Sequence, residues 1–249
     1  MTRTIVITGA TRGIGRALAL QLAGPGVRLV LTGRSTRERP DKRLPGTLEE
    51  ITELAAGKGA DVVPITVDLA DAGQVSALGA RLVGELGGVD VLVNNAAISY
   101  VGRFLDVSPA RWRTTVAVDL LAPAELTHAV LPGMIERGGG AVLNVGSGAA
   151  YTDPVLQLPY STSKLALERL TTGLAAQIDG QGVTVTLIRI DEVVVTEAVN
   201  LVAPELATPD AVTAEQCAAA MAWMLDHPAH VHGKVLAFDE LRALGALAA

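Results

Sequence analysis

Short runs of β-branched and aliphatic residues recur at 4–8, 27–32, 61–67, 89–93, 141–145, 183–190 and 234–238, with little polar alternation inside them. Between them lie segments whose apolar residues fall three and four apart, at 14–22, 48–56, 75–86, 110–131, 161–178 and 214–225, the spacing of amphipathic helices. A strand buried on both faces shows no alternation, so such runs alternating with helices predict a parallel sheet covered on both sides. The expectation is an α/β fold: a single domain over 1–249, built as a doubly wound parallel sheet of about seven strands. The rhythm runs nearly end to end, without an internal repeat or a low-complexity linker. Its main irregularity is 34–46, where Arg34, Arg37, Arg39, Lys42 and Arg43 accompany Pro40 and Pro45. That composition is a loop's, either a solvated insertion or an anion-binding one.

Apolar residues make up 49% of the 249 and charged residues 18%, enough to bury one large core and too apolar for a disordered chain. A net charge of −6 gives no electrostatic footprint for nucleic acid. The single cysteine, Cys217, cannot form an internal disulfide and reads as a small buried hydrophobe, which suits a reducing compartment. No stretch has the pattern of a signal peptide or a membrane span, so the expectation is a soluble, cytoplasmic protein. His227, His230 and His232 match no common ligand spacing, and no metal site is expected. His128, among apolar residues on a helix, reads as a core or interface histidine.

The first strand ends in Thr8-Gly9-Ala10-Thr11-Arg12-Gly13-Ile14-Gly15 and leads straight into a helix. Glycines there let backbone N–H groups and the helix N-terminus approach a pyrophosphate, whose charge the helix dipole favours. The spacing is that of neither the G-x-G-x-x-G fingerprint nor the P-loop. Tyr160 and Lys164 lie four residues apart on a predicted helix and share a face. An ammonium one turn away favours a phenolate, which makes Tyr160 a candidate acid/base. Ser147, just past a strand in Gly146-Ser147-Gly148, can hydrogen-bond an oxygen on which charge develops.

Thr8-Gly9-x-x-x-Gly13-Ile14-Gly15, Asp68-Leu69, Asn94-Asn95-Ala96-Ala97, and Ser147 thirteen residues before Tyr160-x-x-x-Lys164 together resemble the short-chain dehydrogenase/reductase family. The resemblance spans roughly residues 4 to 240 and implies a Rossmann-like fold with a nicotinamide cofactor. It places the cofactor on Gly9, Thr11, Arg12, Gly13, Ile14, Gly15, Arg34, Asp68, Leu69, Asn95, Tyr160, Lys164, Val194 and Thr196. It assigns catalysis to Ser147, Tyr160 and Lys164, with position 119 completing a proton relay. A homodimer or homotetramer is also implied, and long apolar helices suit self-association. Arg34 after the second strand, where an acid would accept the ribose hydroxyls of NAD, predicts NADP, and Arg12 adds a second cation for the 2′-phosphate.

Two departures qualify the resemblance. Asp119 stands where the family commonly has asparagine, and a carboxylate cannot donate as an amide does. It either orients a water near Lys164 or is a solvated or helix-paired aspartate. Asp191-Glu192 stands where a Pro-Gly pair is usual, and an ion pair from Arg189 to Asp191 is the simplest local reading. The leading expectation is an NADP-dependent oxidoreductase interconverting a ketone and a secondary alcohol. Two readings stay open beside it: a dinucleotide-binding regulatory or scaffold protein with little turnover, and an isomerase or dehydratase on the same fold. The substrate is not legible, since its contacts would come from 99–107, 149–158 and 193–211.

Overall fold

The computed structural model describes residues 2–152 and 156–247. Seven parallel strands form the sheet: β1 (Arg3–Ile7), β2 (Val27–Gly33), β3 (Asp61–Thr66), β4 (Val91–Asn94), β5 (Gly140–Ser147), β6 (Val183–Ile190) and, last in the chain, β9 (Val235–Leu236). Their order is β3-β2-β1-β4-β5-β6-β9, a doubly wound, Rossmann-like arrangement. Two short strands, β7 (Val194–Val195) and β8 (Val212–Thr213), pair with each other outside it. The seven expected strand runs all enter the main sheet.

Alternation across the sheet divides the core in two. In β1, Ile5 and Ile7 face the side covered by α1 (Gly13–Leu22), α2 (Leu48–Ala56) and α8 (Ala214–Asp226), with Leu29, Leu31 and Met221. Val6 faces the other, with Val30, Leu92, Leu126 and Val185, beneath α3 (Ala72–Gly84), α5 (Ala122–Glu136) and α6 (Leu158–Gln177). The inner strands β2, β1, β4 and β5 are thus buried on both faces, which is why their sequences show no alternation, whereas the edge strand β3 leaves Asp61, Pro64 and Thr66 exposed. Helix starts follow local chemistry. Asp71 caps α3 by accepting from the N–H groups of Gly73 and Gln74, at 2.9 and 3.1 Å, and Thr213 forms a capping box with Gln216 on α8, satisfying donors that have no partner within the helix.

The helix expected over 110–131 is α4 (Pro109–Val116) and α5 joined through one wide π turn, Ala117–Leu121. Pro123 has no N–H for the carbonyl of Asp119 four residues back, and the helix widens where that bond is missing. The remaining α-helices among the described residues are the short α7 (Glu197–Val202), α9 (Pro228–Val231) and α10 (Phe238–Ala243). No helix among the described residues is long and apolar enough to cross a membrane.

Candidate active site

β1 and β4 are neighbours whose onward connections run to opposite sides of the sheet, leaving a crevice at their C-terminal ends. The glycine-rich turn after β1 is joined to the segment after β4 by four hydrogen bonds. Thr8 Oγ1 accepts from the N–H groups of Asn95 and Ala96, both at 3.0 Å, and Asn95 Nδ2 donates to the carbonyls of Thr8 and Gly9 at 2.8 and 3.1 Å. Glycine is required by this closeness. A Cβ on Gly15 would stand 2.4 Å from both Asn95 Nδ2 and the Gly9 carbonyl oxygen, and one on Gly9, whose φ is +67°, would stand 2.9 Å from the Ala96 Cα. Two of the three glycines therefore serve packing of the crevice floor as well as access to it.

Gly13 does something different. Its N–H donates to Glu197 Oε2 at 2.9 Å, and a Cβ there would meet the Thr196 methyl at 3.4 Å. Thr196 is the N-cap of α7, accepting from Val199 N–H, so α7 is closed over the turn. Val194, buried on β7, lies just before it. Sequence reasoning marked Val194 and Thr196 but not Glu197, whose contact is made across 184 positions of chain.

The second wall comes from α6 and β5. Tyr160 lies in the first turn of α6, which starts three residues earlier than expected, and is half-buried. Lys164 is only 1% exposed; its Nζ donates to the Val145 carbonyl at 2.9 Å and stands 5.5 Å from the centre of the Tyr160 ring. Ser147, at the end of β5, accepts from Ala149 N–H through Oγ at 3.2 Å, which leaves the hydroxyl proton free to point elsewhere.

Asp119 sits on the inner side of the π turn, fully buried. Oδ1 accepts from Ile98 N–H at 2.9 Å, whereas Oδ2 is buried with no donor among the described residues. Burial pushes its carboxyl up to about 6, against the charge of Lys164 and the Ile98 N–H, which favour ionisation. A solvated aspartate is thereby excluded, and so is one paired along its own helix.

Arg189 does not pair with Asp191. It donates to Glu168 from Nε and Nη2, both at 2.9 Å, and stacks 4.2 Å from the Tyr151 ring, whose hydroxyl donates to Glu168 at 2.7 Å. Glu168 follows Lys164 by one helical turn and is 3% exposed, so it reaches the end of β6 beneath the helix, where a bidentate partner outcompetes a neighbour in sequence. Asp191 accepts from Phe238 N–H, and Glu192 pairs with Arg242. Sequence reasoning passed over Glu168; its one signal was the four-residue spacing from Lys164.

At the far end of the crevice Arg34 Nη1 lies 3.7 Å from Asp68 Oδ1, and Arg12 Nη1 lies 3.3 Å from Asp41 Oδ2. Leu69 is buried beside Asp68, and Ile14 packs against the core behind the turn. Thr11 is buried, with its carbonyl against Gly46 of the 34–46 loop. A turn presenting backbone N–H groups at a helix start, flanked by two guanidiniums, fits the phosphates of a dinucleotide. Among the remaining residues, Cys217 is buried, which pushes its thiol up to about 12, and His128 is exposed on α5 rather than in the core. His227 stacks on Trp223 at 4.1 Å, and no cluster of metal-ligating side chains occurs among the described residues. Part of the expected substrate segment, 153–155, lies outside the described residues.

Comparison with known proteins agrees with this architecture. The model of the short chain dehydrogenase family matches residues 3–205, and the chain belongs to that family. It is 34% identical over 183 residues to a short chain dehydrogenase of Pseudocercospora fijiensis, covering 73% of this chain and 56% of that protein. It is 35% identical over 190 residues to dehydrogenase/reductase SDR family member 7B of Bos taurus, covering 74% and 56%. The chain thus spans little more than half the length of these relatives. Among solved structures, a protein of Beutenbergia cavernae provisionally described as an NAD(P)-dependent gluconate 5-dehydrogenase, with NADP bound at low occupancy, superposes with a TM-score of 0.82 at 30% identity and 94% coverage of both chains. A metagenomic short-chain oxidoreductase in complex with NADP gives 0.77 at 26% identity, covering 94% of this chain and 95% of that one.

Proposed function

We propose that this protein is an NADP(H)-dependent oxidoreductase that interconverts a ketone and a secondary alcohol, with Tyr160 as the acid/base. The observation that carries this is Lys164, a lysine 1% exposed that is held 5.5 Å from the Tyr160 ring at the crevice. Burying an ammonium is costly, and the position gives that cost a use, because a fixed cation beside the ring stabilises negative charge that develops on the reacting oxygens. The cofactor supplies the hydride. In reduction Tyr160 gives its proton to the oxygen that becomes the alcohol, and in oxidation it takes that proton back. Ser147, whose Oγ already accepts from Ala149 N–H, donates its own proton to the same substrate oxygen. Asp119 holds the Ile98 backbone and orients a water toward Lys164.

Arg12 and Arg34 favour NADP over NAD, and the NADP-bound relatives support that choice. Exposed Leu121, Leu158 and Leu165 on the π turn and α6 support a homo-oligomer, for which a monomeric mass at micromolar concentration would be contrary evidence. The buried lone thiol suits a reducing cytoplasm. The test is fluorescence titration of NADPH and NADH with wild type and Arg34→Ala, followed by an absorbance screen against ketones and quinones. Selective NADPH binding with turnover supports the proposal. The second reading, a dinucleotide-binding regulator, draws on Asp119, whose unpartnered oxygen stands where the family has an amide; tight binding without turnover would favour it.

A further inference from the structure

The loop at 34–46 is rich in arginine and lysine, yet what it sets beside Arg12 is a carboxylate. Asp41 Oδ2 lies 3.3 Å from Arg12 Nη1, with the two side chains 34% and 21% exposed. The carboxylate is held there by the loop itself: Oδ1 accepts from the N–H groups of Arg43 and Leu44 at 2.9 and 3.0 Å, and Asp41 N–H donates to Ser35 Oγ at 3.1 Å. The loop in turn is seated on the glycine-rich turn. Gly46, with φ +93°, approaches so closely that a Cβ would stand 2.2 Å from the Thr11 carbonyl oxygen, and Leu48 N–H donates to the Ser35 carbonyl at 2.9 Å. Hydrogen bonds from the Arg43 and Leu44 backbone, with the Arg12 guanidinium, hold the Asp41 carboxyl below its ordinary value, so it stays charged at neutral pH.

We propose that Asp41 sets the strength and selectivity of cofactor binding by occupying Arg12 in place of the cofactor's 2′-phosphate. The inference rests on the NADP reading above and deepens it. A guanidinium that already pairs with a fixed carboxylate must exchange it for the phosphate, and the phosphate then lies beside an uncompensated Asp41. Only the dinucleotide that carries the 2′-phosphate pays this exchange, so Asp41 narrows the preference for NADP over NAD that Arg12 and Arg34 create. It is a specificity-determining residue, not a catalytic one.

Asp41→Asn tests this cleanly, because the loop uses Oδ1 and Arg12 uses Oδ2; the amide keeps the first acceptor and removes only the charge at the second. Dissociation constants for NADP(H) and NAD(H) are measured by titration on wild type, Asp41→Asn, Arg12→Ala and the double variant. NADP(H) is expected to bind about fivefold tighter to Asp41→Asn, the worth of a partly exposed ion pair. NAD(H) should change less than about twofold, and the Asp41 effect should vanish on the Arg12→Ala background. Unchanged or weaker NADP(H) binding in Asp41→Asn overturns the proposal, as does a tightening that persists without Arg12. Weaker NAD(H) binding in that variant would make Asp41 an acceptor for ribose hydroxyls and also overturns it. The cofactor reading fails separately, on the wild type and Arg12→Ala alone, if NADP(H) does not bind or binds equally well without Arg12.

Discussion

Asp119→Asn gives the sharpest quantitative expectation from the site. The buried carboxyl is raised from 3.8 to about 6, by desolvation first, with the charge of Lys164 and the N–H of Ile98 pulling the other way. A carboxyl that holds its proton more tightly folded than unfolded stabilises nothing as pH rises: its folding penalty starts near the unfolded value, grows through the window between the two, and is complete above about 6. The full penalty is about 3 kcal/mol, and about 2 kcal/mol of it accrues between roughly pH 4.5 and 7.5. Asparagine keeps the Oδ1 acceptor for Ile98 and cannot ionise. The assay is urea unfolding of both proteins at those two pH values, by circular dichroism. Asp119→Asn should gain about 2 kcal/mol on wild type between the lower and the higher pH. A stability difference that is the same at both pH values, or that shrinks at the higher one, would refute the reasoning and mean that donors beyond the one proposed water return the Asp119 carboxyl to its ordinary value.

Glu168→Ala leaves Arg189 and Tyr151 without their common acceptor; since Arg189 keeps some solvent access, the loss should be about 2 kcal/mol, below that for a fully buried pair, and denaturant midpoints will show it. A loss under roughly 0.5 kcal/mol would mean that water replaces the carboxylate. Gly15→Ala drives a methyl to within 2.4 Å of Asn95 Nδ2 and the Gly9 carbonyl oxygen and should cost about 2 kcal/mol, a fall of roughly 4–8 °C in Tm. Gly24→Ala, with open space around it, is the control and should leave Tm nearly unchanged.

The sheet was legible because its inner strands are buried on both faces, and continuous runs such as Ile5-Val6-Ile7 leave no other simple reading. The site was legible where chemistry is local: Thr8 to Gly15 is one turn, and Tyr160 and Lys164 share a helix face. What escaped depends on distant partners. The π turn at Asp119 follows from Pro123, visible in the sequence, yet periodicity over 110–131 averages across a single wide turn. Arg189 has an acid two residues away and takes one 21 positions earlier, because α6 lays Glu168 on the end of β6. The basic composition of 34–46 hid Asp41, since composition records how many charges a loop carries and not which of them its hydrogen bonds aim inward. Strands β7 and β8, at two residues each, are too short for any periodicity to register.

The most direct test of the proposed activity is Tyr160→Phe, which removes the phenolic oxygen and keeps the ring beside Lys164. With NADPH and a carbonyl substrate found by the absorbance screen, its turnover should fall by about 100-fold or more, the range of a lost general acid, while NADPH affinity stays within about threefold. Turnover at the wild-type rate would contradict the assignment of Tyr160 and, with it, the reaction proposed for this crevice.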